Sequence, residues 1–190
     1  MEKYVFRDTD ISGHEEYDIR GAEYAQLIQV CCRYSSTLSL IITKPDTEIV
    51  QKLGAFEISK PEQVSFVYSH YGRDFPVGER FYRVCSELCE LLIQLVGGIF
   101  EWIDGWGFQN PSDPVFYREN GSAFFTSTIH DGICELMPQT GENIASVIEN
   151  PLWIKVDSNV VGWPCNSYKV ITPVDQKTGN RQINTGDDSV

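Results

Sequence analysis

The chain predicts an α+β fold: an antiparallel sheet with a central three-stranded meander at about residues 115–137, packed against two main helices. Three observations predict it. Asn120-Gly121 and Asp131-Gly132 sit between runs rich in Phe, Ile, Ser and Thr, and such dipeptides tolerate the positive φ of tight hairpin turns. Tyr24, Leu27, Ile28 and Cys31, and again Leu88, Leu91, Leu92 and Leu95, fall at i, i+3, i+4, i+7, the spacing of one helix face. Strand-like and helix-like segments follow one another without regular βαβ alternation, which separates α+β from α/β.

In order, residues 3–7 (KYVFR) predict a short strand, followed by an acidic loop carrying Asp8, Asp10, Glu15, Glu16 and Asp18. Gly21 to about Arg33 is the first main helix, broken at Ser35-Ser36. TLSLIIT (37–43) is β-rich and almost continuously apolar, so it predicts a buried strand. Pro45 can start a shorter helix to about Leu53. QVSFVYSHY (63–71) predicts a strand with Val64, Phe66 and Tyr68 on one side, and Gly72 to Gly78 a linker. ERFYRV (79–84) is a further strand. Ser86 is expected to cap the second main helix, which Gly97-Gly98 ends. Residues 142–149 predict a short helix stopped before Pro151, and LWIKV (152–156) a last strand. Residues 1–172 are expected to form one domain, and 173–190, nearly free of aliphatics, a disordered tail.

The two turns set a register. A two-residue loop at Asn120-Gly121 pairs Arg118 with Ala123 and Phe116 with Phe125. A two-residue loop at Asp131-Gly132 pairs Ile129 with Cys134 and Ser127 with Leu136. Side chains alternate faces along a strand. Phe116, Ala123, Phe125, Ile129, Cys134 and Leu136 then share one face. Thr126, Thr128, His130 and Glu135 take the other, with Tyr117 and Phe124 among them.

A chain of 190 residues that is 42% hydrophobic has enough material for one real core. MEKYVFRDTD lacks the basic and apolar regions of a signal peptide, and no apolar run approaches the ~20 residues of a membrane helix. A cytoplasmic protein is therefore expected, with Cys31, Cys32, Cys85, Cys89, Cys134 and Cys165 as thiols. Twenty-seven Asp and Glu against fifteen Lys and Arg give a net charge of −12, which repels nucleic acid and anionic membrane and attracts a cationic partner.

Few constellations carry chemistry. The spacing of the Asp8–Asp18 run does not fit a calcium loop. Cys85 and Cys89 lack the second cysteine pair of a zinc site, so no metal or other cofactor is expected. No signature ties His14, His70 or His130 to a cysteine. Phosphate-loop, dinucleotide, serine-hydrolase and zinc-protease motifs are missing from the sequence. Carboxylate pairs drawn from Glu101, Asp104, Asp113 and Glu119 are a weak sign of hydrolysis in so acidic a chain. Trp102 and Trp106 fit an aromatic core under the sheet. The functional alternative is an exposed anchor ringed by Glu101, Asp104 and Asp113.

The run DPVFYRENGSAFFTSTIHDGICELMP resembles small acidic bacterial immunity and inhibitor proteins, of the nuclease-toxin immunity and anti-CRISPR type, over about residues 80–156. That resemblance implies a binding protein rather than an enzyme and assigns no residue roles. With the charge, it gives the expected function: an acidic inhibitor that contacts a basic, nucleic-acid-processing enzyme and binds neither nucleic acid nor membrane. Asp8, Asp10, Glu15, Glu16, Asp18, Glu101, Trp102, Asp104 and Trp106 are its candidate contact residues. The alternative is a small hydrolase-like enzyme using Asp or Glu with His.

Overall fold

The elements alternate irregularly: β1 (Glu2–Arg7), α1 (Gly21–Tyr34), β2 (Thr37–Ile42), α2 (Glu48–Leu53), β3 (Glu57–Ile58), β4 (Gly78–Arg83), α3 (Ser86–Leu95), β5 (Ser112–Tyr117), β6 (Ala123–Thr128), β7 (Ile133–Leu136), α4 (Ala145–Ile148) and β8 (Ile154–Asp157). They belong to a computed structural model that describes residues 2–8, 17–64, 78–102 and 110–157. The strands form one eight-stranded sheet in the order β3-β4-β2-β5-β6-β7-β1-β8. Every neighbouring pair is antiparallel, so the class is α+β. Among the described residues no helix is long and apolar enough to cross a membrane.

The main core joins α1, α3 and α4 to one face of the sheet. Tyr24, Leu27, Ile28 and Cys31 of α1 and Leu88 and Leu92 of α3 meet Phe6, Leu38, Leu40, Phe116, Phe125, Cys134 and Leu136. Burying an aliphatic or aromatic side chain fully contributes roughly 1.5–3 kcal/mol, so this stripe-on-sheet contact dominates the fold's stability. A smaller cluster of Val64, Phe81, Val115 and Tyr117 lies apart from it. This explains why β2 and β5, buried at every position, read as continuous rather than alternating apolar strands.

The register departs from the sequence reading at both turns. Phe116 faces Phe125, with ring centroids 6.1 Å apart, but Tyr117 faces Ala123 across a shift in register. The extra residue is Phe124. A bulge leaves its side chain on the core side beside Phe125, where Arg118 and Tyr34 lie against its ring, and moves Ala123 to the face of Tyr117. At the second turn Ser127 faces Cys134 and Thr128 faces Ile133. Ile129–Asp131 form a 3-10 turn closed by left-handed Gly132, so the loop has four residues and Ile129 does not pair with Cys134. The displacement is two residues, which keeps the faces of β7 as the alternation requires.

Smaller differences have local causes. Cys85, extended, precedes α3, and Ser86 is its first residue, spending its hydroxyl on Glu87 rather than on a cap. Thr47 caps α2 by accepting the Val50 N–H at 3.4 Å, which places the start of that helix after Pro45. Residues 65–77, which include most of the 63–71 strand, and the 173–190 tail lie outside the described residues.

Arg118 joins the β5–β6 connection to the loop that follows β7. Its guanidinium donates to Glu142 Oε1 and Oε2 at 2.6 and 2.7 Å, to the carbonyls of Ala123 and Met137 at 2.6 Å each, and to Ser122 Oγ at 3.2 Å. A buried cation is tolerated when its donors are satisfied in this way. Burial opposes ionisation of Glu142, but the Arg118 hydrogen bonds and the Gln139 N–H outweigh it and hold that carboxyl below its ordinary value.

Candidate functional site: an acidic end of the sheet

β1 runs out at Arg7, and Asp8 adds one more bond by donating its N–H to Gly132 C=O at 2.8 Å. The Asp8 carbonyl accepts the N–H of Tyr17, which pins the two ends of the acidic loop together. The Asp8 carboxylate lies directly over Gly132. That glycine has φ +64, and a Cβ there would collide with the carboxylate, so the turn needs glycine for two reasons.

Asp18 is held from two sides. Its Oδ2 accepts Arg20 Nε at 2.6 Å, and its Oδ1 accepts the Phe100 N–H at 3.3 Å. Glu101 takes the Gly97 N–H at 2.7 Å and lies 3.8 Å from Arg20 Nη2. The backbone reinforces this junction: Ile99 N–H reaches Ile19 C=O, and Gly21 N–H reaches Gly97 C=O. Gly98 permits the approach, because a Cβ there would strike Asp18 Oδ2 and come within 2.8 Å of Arg20 Cγ. Asp18 and Glu101, remote in sequence, therefore bracket one arginine.

The 3-10 turn Ile99–Trp102 packs against the 3-10 turn Ile129–Asp131, which brings a third carboxylate group into the same region. Asp113 is 1% exposed and has φ +51, an uncommon conformation that Asp adopts more readily than most side chains. It sits where β5 shifts register against β2, between Ser39 and Ile41, so the strain is local to a bulge. Its Oδ1 accepts the Ile129 N–H at 2.7 Å, while Oδ2 is buried without a hydrogen-bond partner. Burial pushes its carboxyl up to about 6, against the lowering influence of the Ile129 N–H and His130 and with a further push from Asp131. His130 Nε2 lies 3.4 Å from Asp131 Oδ1. Burial also pushes the Cys134 thiol well up, and Asp18, Asp8, Glu135 and Asp113 all add to it.

An acidic end is the result. Asp8, Asp113 and Asp131 gather at the turn 129–132, and Asp18 and Glu101 lie on either side of Arg20 at the junction 97–101, whose 3-10 turn packs against it. An open depression of about 500 Å³, lined in part by Gln94, Gly97, Glu101 and Asn110, adjoins it. Fixed carboxylates in a partly desolvated setting bind ammonium and guanidinium groups. Among the described residues no three His, Cys, Asp or Glu side chains are placed to hold a metal ion.

Of the residues singled out in the sequence, Asp8, Asp18 and Glu101 are brought together here. Trp102 is not a surface anchor. It is fully buried, and its indole N–H donates to Tyr24 Oη at 3.1 Å, which in turn donates to Leu92 C=O at 3.0 Å. A chain leaving the helical layer for the sheet must fill the gap between them, and an indole with a buried acceptor does so. Asp10, Glu15, Glu16, Asp104 and Trp106, with His14 and His70, lie outside the described residues. Sequence reasoning had Asp113 only as one of several chance carboxylates. Its αL backbone and unpartnered oxygen depend on the bulge, which leaves no local signature beyond Asp-Pro.

No protein-family model matches the chain, and no match is found for it among the curated proteins or the solved structures.

Proposed function

We propose that the protein is an acidic binding protein that inhibits a basic, nucleic-acid-processing enzyme by protein–protein contact, and that the acidic end of the sheet is its contact surface. In this reading the meander of about 115–137 and the two main helices form the rigid support, and the carboxylates of 8–18 and 101–104 stand in for phosphates on the target's Lys and Arg. The observation that carries it is the convergence of Asp8, Asp18 and Glu101, from two separated acidic segments, on one end of a chain of net charge −12. Complementary charge steers encounter and sets the on-rate, while desolvated contacts set the off-rate. The direct test measures cleavage by a panel of RNA-guided and toxin-type nucleases with and without the chain. Inhibition that is lost on reversing Asp8, Asp18 and Glu101 to Lys supports the reading. Undiminished cleavage across the panel, or tight binding of the chain to DNA or RNA, contradicts it.

A hydrolytic reading has one specific observation in its favour. Asp113, with its carboxyl raised to about 6 beside His130, has the character of a general acid at neutral pH. A screen of ester and phosphodiester substrates against wild type and Asp113→Asn separates the two. Turnover abolished by Asp113→Asn supports hydrolysis, and no turnover leaves the binding reading.

A further inference from the structure

A cleft of about 230 Å³ opens where the start of α1, the short α4 and the approach to β8 meet, and it is more enclosed than the depression beside Glu101. Its apolar lining is Ile19, Val147 and Trp153, which are 2, 7 and 6% exposed. Its polar lining includes Glu23 of α1, and Glu149 and Asn150, which follow α4. Asn150 is fixed from three directions. Its Oδ1 accepts the Leu152 N–H at 2.9 Å, its carbonyl accepts the Trp153 N–H at 3.1 Å, and its Nδ2 donates to Glu23 Oε2 at 3.1 Å. The last of these bonds ties α1 to the loop after α4. Glu23 and Glu149 are exposed, and among the described residues no Lys or Arg of the chain forms an ion pair with either.

We propose that this cleft is a binding site for an alkylguanidinium group, carried by a free small molecule or by an arginine of a protein partner. The chemistry of the lining selects the ligand. Two carboxylates without a cation of their own call for a positive charge, and a guanidinium can donate two parallel hydrogen bonds to one of them. A wall of isoleucine, valine and tryptophan favours a weakly hydrated, planar cation on an alkyl stem over a strongly hydrated ammonium. By volume the cleft equals about seven waters, enough for a guanidinium on a short alkyl chain and too little for a nucleotide. The loop around Asn150 is already locked by its own hydrogen bonds, so binding orders little that is not ordered beforehand. The site uses none of the residues of the acidic end and does not depend on the identity of the protein's target.

The test titrates N-butylguanidinium into the full chain at low ionic strength by calorimetry, with butylammonium and the neutral N-butylurea alongside. NMR of an isotope-labelled chain follows the Trp153 indole and the Asn150 side-chain amide. Expected is saturable binding with a Kd of about 1 mM or tighter, with both reporter groups shifting. Butylammonium should bind at least about threefold more weakly, and N-butylurea should not bind. A capped Gly-Arg-Gly peptide that competes with N-butylguanidinium identifies a protein's arginine as the ligand. A peptide that does not compete identifies a free guanidino compound.

Glu23→Gln and Glu149→Gln should each weaken binding about tenfold, as losing a charge-assisted hydrogen bond does. Ser146→Tyr, which puts a ring into the cleft, should block it. Glu90→Gln, on the exposed side of α3, should leave it unchanged. All four positions are exposed or half-buried, so circular dichroism should show each variant folded. Four results would overturn the proposal: binding that does not saturate by about 10 mM, butylammonium or N-butylurea binding as tightly as N-butylguanidinium, undiminished binding in Ser146→Tyr, or an equal loss in Glu90→Gln and Glu23→Gln, which would be charge attraction without a site.

Discussion

Asp18 accepts the backbone N–H of Phe100 at 3.3 Å, and this one hydrogen bond ties the acidic loop after β1 to the turn after α3. Both segments were read from the sequence as contact surfaces, and nothing in either predicted that they meet. Their junction rests on the small space at Gly98.

Gly98→Ala should therefore displace the Asp18 and Arg20 side chains, which are flexible at the colliding atoms. A cost of about 1 kcal/mol in urea denaturation is expected, because side chains rather than backbone must move. Gly121→Ala should cost more, about 2 kcal/mol or above: its φ is +79, and a Cβ would collide with the Gln63 backbone carbonyl. Gly141→Ala, with φ +93 and open space around it, should show the backbone penalty alone. Equal costs at all three positions would contradict this ordering.

Asp113 predicts a pH dependence. An acid whose folded pKa is raised holds its proton more tightly when folded than when unfolded. That stability is complete below the unfolded value of about 4 and is lost as pH rises through about 6. Between pH 4 and pH 7.5 the wild type should lose on the order of 2 kcal/mol through this group. Asn keeps the acceptor for Ile129 and tolerates positive φ, so Asp113→Asn should be the more stable form at pH 7.5 but not at pH 4. Parallel stability curves for the two proteins would contradict the assignment.

Glu142 has the opposite sign. Its folded pKa is lowered, so the Arg118–Glu142 pair stabilises above the unfolded carboxyl pKa and loses that contribution as pH falls through the folded one. Arg118→Ala removes the guanidinium donors of the half-buried Glu142 carboxylate, which keeps the Gln139 N–H, and of the Ala123 and Met137 carbonyls, at an expected cost of about 2–3 kcal/mol, the range of hydrogen bonds to charged groups. Arg118→Lys should recover little, because an ammonium cannot reproduce the fork. Thermal unfolding of the two variants checks both statements.

The parts of the fold set by local chemistry were legible, and those set by long-range geometry were not. Asn120-Gly121 places Phe116 opposite Phe125, and the stripe of Tyr24, Leu27, Ile28 and Cys31 marks the buried face of α1. The Phe124 bulge was not legible: two adjacent phenylalanines satisfy either face, and only the packing of Tyr34 and Arg118 on Phe124 chooses. Trp102 was ambiguous because Gly and Asp neighbours suit both an exposed anchor and a tight turn; its bond to Tyr24 decides for the core. The gathering of Asp8, Asp18, Glu101 and Asp113 is a tertiary fact with no one-dimensional trace.

Trp102→Ala should accordingly lower stability by about 3–5 kcal/mol, as large-to-small core changes do. Trp102→Phe should keep most of the packing and lose mainly the hydrogen bond to Tyr24, about 1 kcal/mol. If either variant weakens partner binding, it should do so only as far as it unfolds the chain, which binding and circular dichroism at matched temperatures would show.

The most direct measurement is the association rate between the chain and an inhibited nuclease, taken by stopped flow across a salt series from about 50 to 500 mM, where screening changes most. The account predicts a steep fall in on-rate with salt for the wild type, and a slow, nearly salt-independent on-rate once Asp8, Asp18 and Glu101 are reversed to Lys. An on-rate that neither salt nor those reversals change would contradict it.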